Sequence, residues 1–235
     1  MTIDLNIDIG EGGTCDEALL ALATSANIAC GGHAGGGRVL HEALARARNA
    51  GVAIGAHPGY QDRANFGRVE TREDAGVIGM EVRRQLMDFC DAFGAPPHHV
   101  KPHGALYHRM DRDSEVARIF CRVIRDVAPG AWVYAFAGGG FSKAAAALGL
   151  RVCGEGFIDR GYGADGCLIP RGQAGAALES PEEAAAQAVR LAGEGKARTL
   201  CVHGDGPRAV EVLTNARAAL VAAGWCIGAP GVPCE

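Results

Sequence analysis

Histidine, lysine and carboxylate side chains follow short apolar runs at several places in this chain. The clearest case is the stretch 52–68, VAIGAHPGYQDRANFGR, where an apolar run ends at His57 and a polar loop follows. Such residues can transfer protons, bind a metal, or hold a carboxylate or phosphate. The candidates, grouped by the apolar run that they follow, are Asp8 and Glu11, His33, His57 and Asp62, Lys101 and His103, Glu155 with Asp159 and Arg160, and His203 with Asp205.

One interpretation assigns these side chains to acid–base chemistry on an anionic small molecule. Asp8 or a histidine would accept the proton, and Lys101 and Arg160 would hold a carboxylate or a phosphate. The structural alternative is that the charges pair with one another, which suits Asp62 and Arg68 better than Lys101. Four histidines at equivalent strand ends favour the chemical interpretation.

A second interpretation is a site for a divalent metal such as zinc. A carboxylate and several histidines are typical zinc ligands, and here the set would be Asp8, His33 and His57. The histidines are far apart in the sequence, and no His-Glu-x-x-His pattern places two of them on one helix face. The pattern therefore favours a metal only weakly.

Alternating strand and helix patterns predict that a parallel sheet positions the candidate side chains. Residues 3–9 alternate apolar and polar side chains, which is typical of a strand with two different faces. Nearly every predicted strand ends in polar, charged or Gly-rich residues, whereas an open sheet would concentrate such residues at one switch point. We therefore expect an α/β fold with one (β/α) barrel of about seven parallel strands, forming a single domain over residues 1–235.

The boundaries of the predicted elements follow from the apolar runs and from helix-capping residues. Helix starts are expected at Asp16, Thr71, Asp113 and Ser180, because Asp, Ser and Thr side chains accept hydrogen bonds from free amides. The predicted strands cover residues 3–9, 25–30, 52–56, a fourth run from residue 99, 132–136, 151–153 and 199–202, with a short last strand at 225–227.

Composition and charge exclude several classes of protein. The chain has 235 residues, 48% hydrophobic and 21% charged, which provides for a sizeable core. A net charge of −4 gives no basic surface for nucleic acid, and no apolar run approaches the ~20 residues of a membrane span. Nine cysteines without a Cys-x-x-Cys pair, and a first strand in place of a signal peptide, indicate a cytoplasmic protein with reduced thiols. Cys201 could act as a nucleophile, but its apolar neighbours favour a buried position.

Several longer motifs resemble the LamB/YcsF family. They occur in order over residues 3 to about 215, which makes the resemblance specific. The motifs are DLN at 4–6 with Asp8 and GEG at 10–12, TSANIACG at 24–31 with HAG at 33–35, IGAHPGY at 54–60, FGR at 66–68, KPHGALY at 101–107, DRGY at 159–162 and CVHGD at 201–205.

The resemblance implies a fold and an activity. Members of the family are A subunits of bacterial ATP-dependent 5-oxoprolinase, with a barrel like those of polysaccharide deacetylases and glycoside hydrolases. It implies that 5-oxoproline, ATP and water give glutamate, ADP and phosphate in a complex with B and C subunits. ATP would bind to this chain or to a site shared with those subunits. The implied catalytic residues are Asp8, His57, Lys101, His103 and His203, and the implied substrate-binding residues are Asn6, Glu11, His33, Arg68, Glu155, Arg160 and Asp205.

Two alternative functions and two departures from the family pattern stay open at this point. The alternatives are a metal-dependent deacetylase or amidohydrolase of the same barrel type and a non-catalytic subunit that binds a small molecule; a homo-oligomer is compatible with each. The family usually has Phe where this chain has Gly32, and Asp-Pro where it has Gly36 and Gly37. We expect these changes to remove an aromatic and an acidic group from the mouth, and so to favour a related lactam or amide as substrate.

Overall fold

Strands and helices alternate along the chain in a computed structural model that describes residues 1–178 and 180–233. No helix in these ranges is long and apolar enough to cross a membrane. The strands are β1 (Thr2–Ile9), β2 (Ser25–Ala29), β3 (Ala53–His57), β4 (His99–Val100), β5 (Trp132–Phe136), β6 (Arg151–Phe157), β7 (Thr199–Val202) and β8 (Cys226–Ile227). The helices are α1 (Asp16–Leu20), α2 (Gly37–Ala50), α3 (Ala75–Phe93), α4 (Gly104–Arg112), α5 (Ser114–Val127), α6 (Gly140–Ala147), α7 (Pro181–Gly193) and α8 (Ala209–Ala222).

Seven parallel strands form a closed barrel. Strands β2 to β7 pair in sequence order, and β1 closes the sheet by pairing with β2 on one side and β7 on the other. Strand β8 pairs only with the first residues of β1, below the closure. The predicted (β/α) barrel of about seven parallel strands is confirmed.

The two faces of β1 explain why the barrel positions polar side chains. Ile3, Leu5, Ile7 and Ile9 belong to the hydrophobic core that also contains residues of the surrounding helices. The alternate residues turn into the barrel, where they are buried despite their polarity. Apolar and polar residues therefore alternate along β1 because its apolar side packs against the helices and its polar side faces the barrel interior and not water.

Asp4 anchors a hydrogen-bond network at the base of the barrel. Its carboxylate accepts hydrogen bonds from Thr24, Ser25, Tyr134 and Thr199 at 2.6 to 2.9 Å. Burial raises the pKa of Asp4, whereas these hydroxyl donors lower it. The network joins β1 to β2, β5 and β7 across the barrel, so the register of these strands is specified by polar contacts as well as by apolar packing.

Several predicted boundaries differ from the structure. Asp113 and Ser180 cap α5 and α7 as expected. Asp16 instead lies inside α1, where its carboxylate accepts a hydrogen bond from the Gly10 amide at 3.2 Å. Thr71 does not cap α3, which begins after Asp74. Helix α4 was not predicted, and β6 is four residues longer than expected, so that Glu155 lies within a strand rather than in the loop after it.

Candidate functional site

A cavity of about 610 Å³ opens at the C-terminal ends of the barrel strands. Its volume is in the range of small-molecule sites. Cationic, anionic and aromatic side chains all contribute to its wall. The lining residues are Asp8, His57, Arg68, Glu70, Lys101, Pro102, His103, Gly104, Ala105, Tyr107, His108, Arg112, Phe157, Arg160, Leu168, Pro170, Arg171 and His203.

Lys101 lies at the floor of the cavity and is almost completely buried, at 2% exposure. Its ammonium is 3.0 Å from both Asp8 Oδ1 and Glu155 Oε1, 3.1 Å from Asn6 Oδ1 and 2.9 Å from Cys201 Sγ. Burial disfavours the charge, but Asp8, Cys201 and Glu155 outweigh burial and raise the pKa of Lys101 well above its usual value. Because three N–H groups face four acceptors, Lys101 organises these residues and has no donor to spare for a ligand.

His57 and His103 face each other over the floor of the cavity. Nδ1 of His57 lies 2.8 Å from the Lys101 carbonyl, and Nε2 of His103 lies 2.9 Å from the Phe66 carbonyl. Because a carbonyl oxygen only accepts, each of these nitrogens carries a hydrogen. The other two nitrogens, His57 Nε2 and His103 Nδ1, are 3.0 Å apart, and both would present lone pairs if the rings were neutral. The contact therefore requires a proton or another cation between them.

Two carboxylates supply the negative charge that this cation needs. Asp8 Oδ2 is 3.5 Å from His57 Nε2, and Glu11 Oε1 is 3.6 Å from His57 Nε2 and 3.3 Å from His103 Nδ1. Burial disfavours charge on both Asp8 and His57, yet each stabilises the charge of the other, so the pKa of Asp8 is lowered and that of His57 is raised. The chain alone thus holds His57 as a cation beside an ionised Asp8.

The same region contains a group of residues that could hold a metal ion. Ligand atoms of Glu11, His33, His57 and His103 all lie within 4.8 Å of one another, whereas Asp8 falls in a second group with Cys201 and His203. The expected ligand set was Asp8, His33 and His57. His33 and His57 belong to the group, whereas Asp8 does not, and Glu11 and His103 belong to it in addition.

The donor chemistry distinguishes the histidines of this group. Metal-bound histidines normally donate the second ring N–H to a protein acceptor. His57 and His103 do so through the two backbone carbonyls. His33 donates no such bond, because its Nδ1 is buried without a partner among the described residues, while its Nε2 is 2.8 Å from Glu11. Burial lowers the pKa of His33 to about 4, so its ring is neutral near pH 7. Glu11, His57 and His103 therefore fit a metal, and His33 fits a hydrogen-bond donor to Glu11.

His203 lines the cavity and pairs with Asp159, which does not line it. Asp159 Oδ2 accepts from the His203 backbone amide at 2.9 Å and is 2.8 Å from His203 Nδ1. Burial raises the pKa of Asp159, but His203 outweighs burial and lowers it. The Phe157 ring stacks on the imidazole at 5.6 Å between centroids. The pair fixes the ring with Nδ1 protonated, which leaves Nε2 for proton transfer in the neutral form.

The remaining expected site residues divide between the cavity and other places. Asp205 forms an ion pair with Arg68 at the rim, which suits the structural interpretation of Arg68, although Asp62 was the carboxylate we had considered. Asp62 instead accepts from Asn65 within its own turn. Five of the expected residues do not line the cavity and reach it only through neighbours: Asn6, Glu11, His33, Glu155 and Asp205.

Sequence reasoning did not assign several of the cavity-lining residues to the site, among them Tyr107, His108, Arg112 and Arg171. Tyr107 lies on the unpredicted helix α4, and its hydroxyl donates to Glu155 Oε2 at 2.8 Å. His108 and Arg112 belong to the same helix. Arg171 lies in the loop between β6 and α7, which we treated as irregular. Tyr107 is part of the KPHGALY motif and was therefore detectable, whereas no local pattern marked Arg171.

The departures at Gly32, Gly36 and Gly37 lie outside the main cavity. A Cβ atom at Gly32 would lie 2.6 Å from both the Gly59 carbonyl and Gln85 Oε1. The buried Gln85 amide fills this space by pairing with the Gly59 backbone at 3.1 and 2.8 Å. Gly36 and Gly37 line a separate cleft beside α2 and α3. The expectation that these departures alter the mouth therefore has no support from their positions.

Comparisons with known proteins identify the family and the fold of this chain. The LamB/YcsF family model matches residues 3–231. The chain is 44% identical to a protein from Symbiobacterium thermophilum that is named as the A subunit of 5-oxoprolinase, over 97% of this chain and 95% of that protein. The crystal structure of a lactam utilization protein from Thermus thermophilus superimposes with a TM-score of 0.89 at 38% identity, covering 97% of this chain and all of that one.

A more distant solved structure has the same fold. The family 4 carbohydrate esterase from Streptomyces lividans matches with a TM-score of 0.56 at 11% identity, over 97% of this chain and 92% of the esterase. At this identity the likeness concerns the barrel and not the chemistry. The extent of the family match, together with the identity to the Symbiobacterium protein, establishes that the chain belongs to the LamB/YcsF family.

Proposed function

We propose that this chain is the A subunit of an ATP-dependent 5-oxoprolinase, a cytoplasmic enzyme that opens the 5-oxoproline lactam to glutamate. The observation that carries the proposal is that Asp8, His57 and His203 line one cavity and belong to two proton-handling pairs, Asp8–His57 and Asp159–His203. The names of two relatives support it, since one is named for the A subunit of 5-oxoprolinase and the other for lactam utilization. We also propose that residues 1–235 form one domain.

The proposed reaction makes separate demands on the cavity. A five-membered lactam is a stable amide, and transfer of the γ-phosphoryl group of ATP to its oxygen would activate it for attack by water. The C–N bond then breaks, the ring nitrogen takes up a proton, and a second water molecule cleaves the resulting acyl phosphate to give glutamate and phosphate. The volume of about 610 Å³ leaves room beside the lactam for part of the phosphoryl donor. ATP would bind to this chain or to a site that this chain shares with the B and C subunits.

The named residues would divide these tasks. Asp8 would accept the proton of the attacking water, and the cationic His57 would stabilise the negative charge of the phosphoryl group carried by the lactam oxygen. His203, held by Asp159, would donate the proton to the leaving nitrogen. Lys101 would act through Asp8, because its own donors are occupied.

The first experiment measures 5-oxoproline-dependent ATP hydrolysis by this chain alone and by its mixture with the B and C subunits. We expect activity only in the mixture, with one glutamate formed for each phosphate. An Asp8→Asn variant should fold and assemble but lose activity. If the mixture is inactive with 5-oxoproline, the proposal is wrong; if Asp8→Asn keeps full activity, the chain is a non-catalytic binding subunit.

Replacing Asp159 with asparagine should reduce kcat in the mixture by about a hundredfold with little change in KM, which is the lower end of the effect of general acid–base catalysis. The carboxamide cannot hold the His203 cation, and it allows the other ring tautomer. Steady-state kinetics over a range of pH measures the effect. The control is Asp62→Asn, since Asp62 contacts only its own turn. An unchanged kcat would exclude His203 as the proton donor.

The second candidate function is a metal-dependent amidohydrolase, and the group Glu11, His57 and His103 favours it. A divalent metal held there would polarise a carbonyl oxygen or lower the pKa of bound water. This function requires hydrolysis of a lactam or amide without ATP. It is therefore distinguished from the first candidate by leaving ATP out of the assay.

Zinc binding at this group is testable without any activity measurement. At a free zinc concentration 100 times Kd, binding should stabilise the fold by about 2.7 kcal/mol, which thermal unfolding with and without a chelator would detect. Glu11→Gln and His103→Ala should lose this stabilisation, whereas His33→Ala should keep most of it, because only His33 lacks a partner for its second nitrogen. Equal loss in all three variants would contradict the assigned ligand set.

A further inference from the structure

Arg160 is a buried cation without a carboxylate partner. Its side chain lines the cavity and is 5% exposed. Nε donates to the Ala176 carbonyl at 3.0 Å and Nη2 to the Ile169 carbonyl at 2.8 Å. Within residues 1–178 and 180–233 it forms no ion pair. The nearby Asp159 favours the Arg160 charge, but it pairs with His203 through Oδ2, and its Oδ1 has no hydrogen-bond partner among these residues. A buried charge is costly unless a counter-charge compensates it, so Arg160 would be stabilised further by an anion in direct contact.

Arg171 adds a second positive charge to the same wall. It lies between Ile169 and Ala176, the two residues whose carbonyls Arg160 holds, so Arg160 fixes the segment that carries it. Arg171 is exposed, lines the cavity, and has no hydrogen bond or ion pair with the described residues. The neighbouring Arg112 differs, because Glu70 neutralises it at 2.6 Å. Arg160 and Arg171 are therefore cations of this wall that form no ion pair with the described residues.

The two arginines also lie where a second, smaller cavity meets the first. Arg160, Arg171 and His203 line both the main cavity and one of about 80 Å³. That volume equals the share of about three water molecules in the liquid, enough for a carboxylate or a phosphoryl group. Because His203 borders the same space, an anion bound there would lie next to the proposed proton donor.

We propose that Arg160 and Arg171 form an oxyanion subsite for a carboxylate or phosphoryl group of the small molecule bound in the main cavity. Hydrogen bonds to two backbone carbonyls hold the Arg160 side chain in place, and the loop between β6 and α7 contributes Arg171. Guanidinium groups suit this role because they bind planar oxyanions through paired N–H groups. The subsite rests on the proposed function only for the identity of its ligand. In that function the two ligands supply both kinds of group, because 5-oxoproline carries a carboxylate and ATP carries phosphates.

Calorimetric titration of the full chain, and of its mixture with the B and C subunits, tests the subsite without turnover. The ligands are 5-oxoproline, 2-pyrrolidinone, which is the same lactam without the carboxylate, and pyrophosphate. We expect Arg171→Ala to weaken anion binding about tenfold or more, as expected for loss of a hydrogen bond to a charged group, and Arg171→Glu to abolish it. Both variants should fold, because Arg171 is exposed and forms no hydrogen bond or ion pair with the described residues.

Two controls match these variants. Arg38→Ala removes an exposed arginine on α2 that does not line the cavity, and Gln173→Ala changes a residue of the Arg171 loop that does not line it either. Both variants should bind as the wild type does. Loss of 5-oxoproline binding in the Arg171 variants, with 2-pyrrolidinone binding weak in all proteins, assigns the subsite to the carboxylate. Loss of pyrophosphate binding alone assigns it to the phosphoryl group.

Unchanged binding of both anions in Arg171→Glu would overturn the subsite, and so would the absence of anion binding by the wild-type chain and by the mixture. These results are separate from those of the activity assay. A mixture that binds 5-oxoproline through Arg171 but hydrolyses no ATP would preserve the subsite and disprove the proposed function. A mixture that is active, and whose ligand binding does not change with Arg171→Glu, would support the proposed function and disprove the subsite.

Discussion

Replacing Lys101 with methionine should destabilise the fold by about 3–5 kcal/mol at pH 7, the range for breaking a buried ion pair by removing one partner. Methionine has a similar length but no charge, so the change leaves the carboxylates of Asp8 and Glu155 without the ammonium that is 3.0 Å from each. Both side chains are almost fully buried, so water cannot replace the lost partner. Urea denaturation followed by circular dichroism measures the difference.

The dependence on pH gives the Lys101 prediction a second test. In the wild type, His57 and Lys101 overcome burial and hold the pKa of Asp8 well below its unfolded value. Asp8 therefore contributes stability above about pH 4, the unfolded value, and this contribution is lost as the pH falls through the folded value. Without Lys101 this contribution shrinks, so the deficit of the variant should be constant above about pH 4 and should narrow as the pH falls below that value.

A matched control separates this effect from the loss of any lysine. Lys143 is exposed on α6, and Lys143→Met should change stability by less than about 0.5 kcal/mol. A Lys101→Met protein as stable as the wild type at pH 7 would show that Asp8 and Glu155 are not both ionised. If the variant folds and keeps full activity in the mixture, the proposed role of Lys101 in maintaining Asp8 is wrong.

Replacing Gly55 with alanine should destabilise the protein by about 3 kcal/mol, at the upper end of the usual cost of overpacking a core. A Cβ atom at Gly55 would overlap the His99 imidazole. The ring cannot retreat, because it stacks on Tyr134 at 4.0 Å and its Nε2 is 2.8 Å from Asn27 Oδ1. Thermal or urea unfolding of the purified chain measures the loss.

Gly76→Ala is the control for this second prediction. Gly76 lies in the first turn of α3, where an added Cβ would meet no atom within 4 Å, and the variant should be more stable by about 0.5 kcal/mol. The two glycine substitutions should therefore change the free energy of unfolding in opposite directions. If Gly55→Ala is as stable as the wild type, His99 does not pack against β3 in solution.

The sequence by itself determined the architecture and the general location of the site. The period-two pattern of β1 and the apolar runs that end in polar residues predicted a parallel barrel with polar strand ends, because these signals are local and repeat at every strand. Ser180 and Asp113 were recognisable as caps for the same reason, since a cap depends on three or four neighbouring residues.

Only the tertiary structure decided which of these side chains touch. His57 and His103 are 46 residues apart, yet their ring nitrogens lie 3.0 Å from each other, and Arg68 pairs with Asp205 across 137 residues of sequence. We expected the Lys101 ammonium to hold a carboxylate or a phosphate of the ligand, but four acceptors of the chain itself surround it. Such contacts depend on the register and closure of the whole barrel, which place strands distant in sequence side by side, and no local pattern encodes that distance.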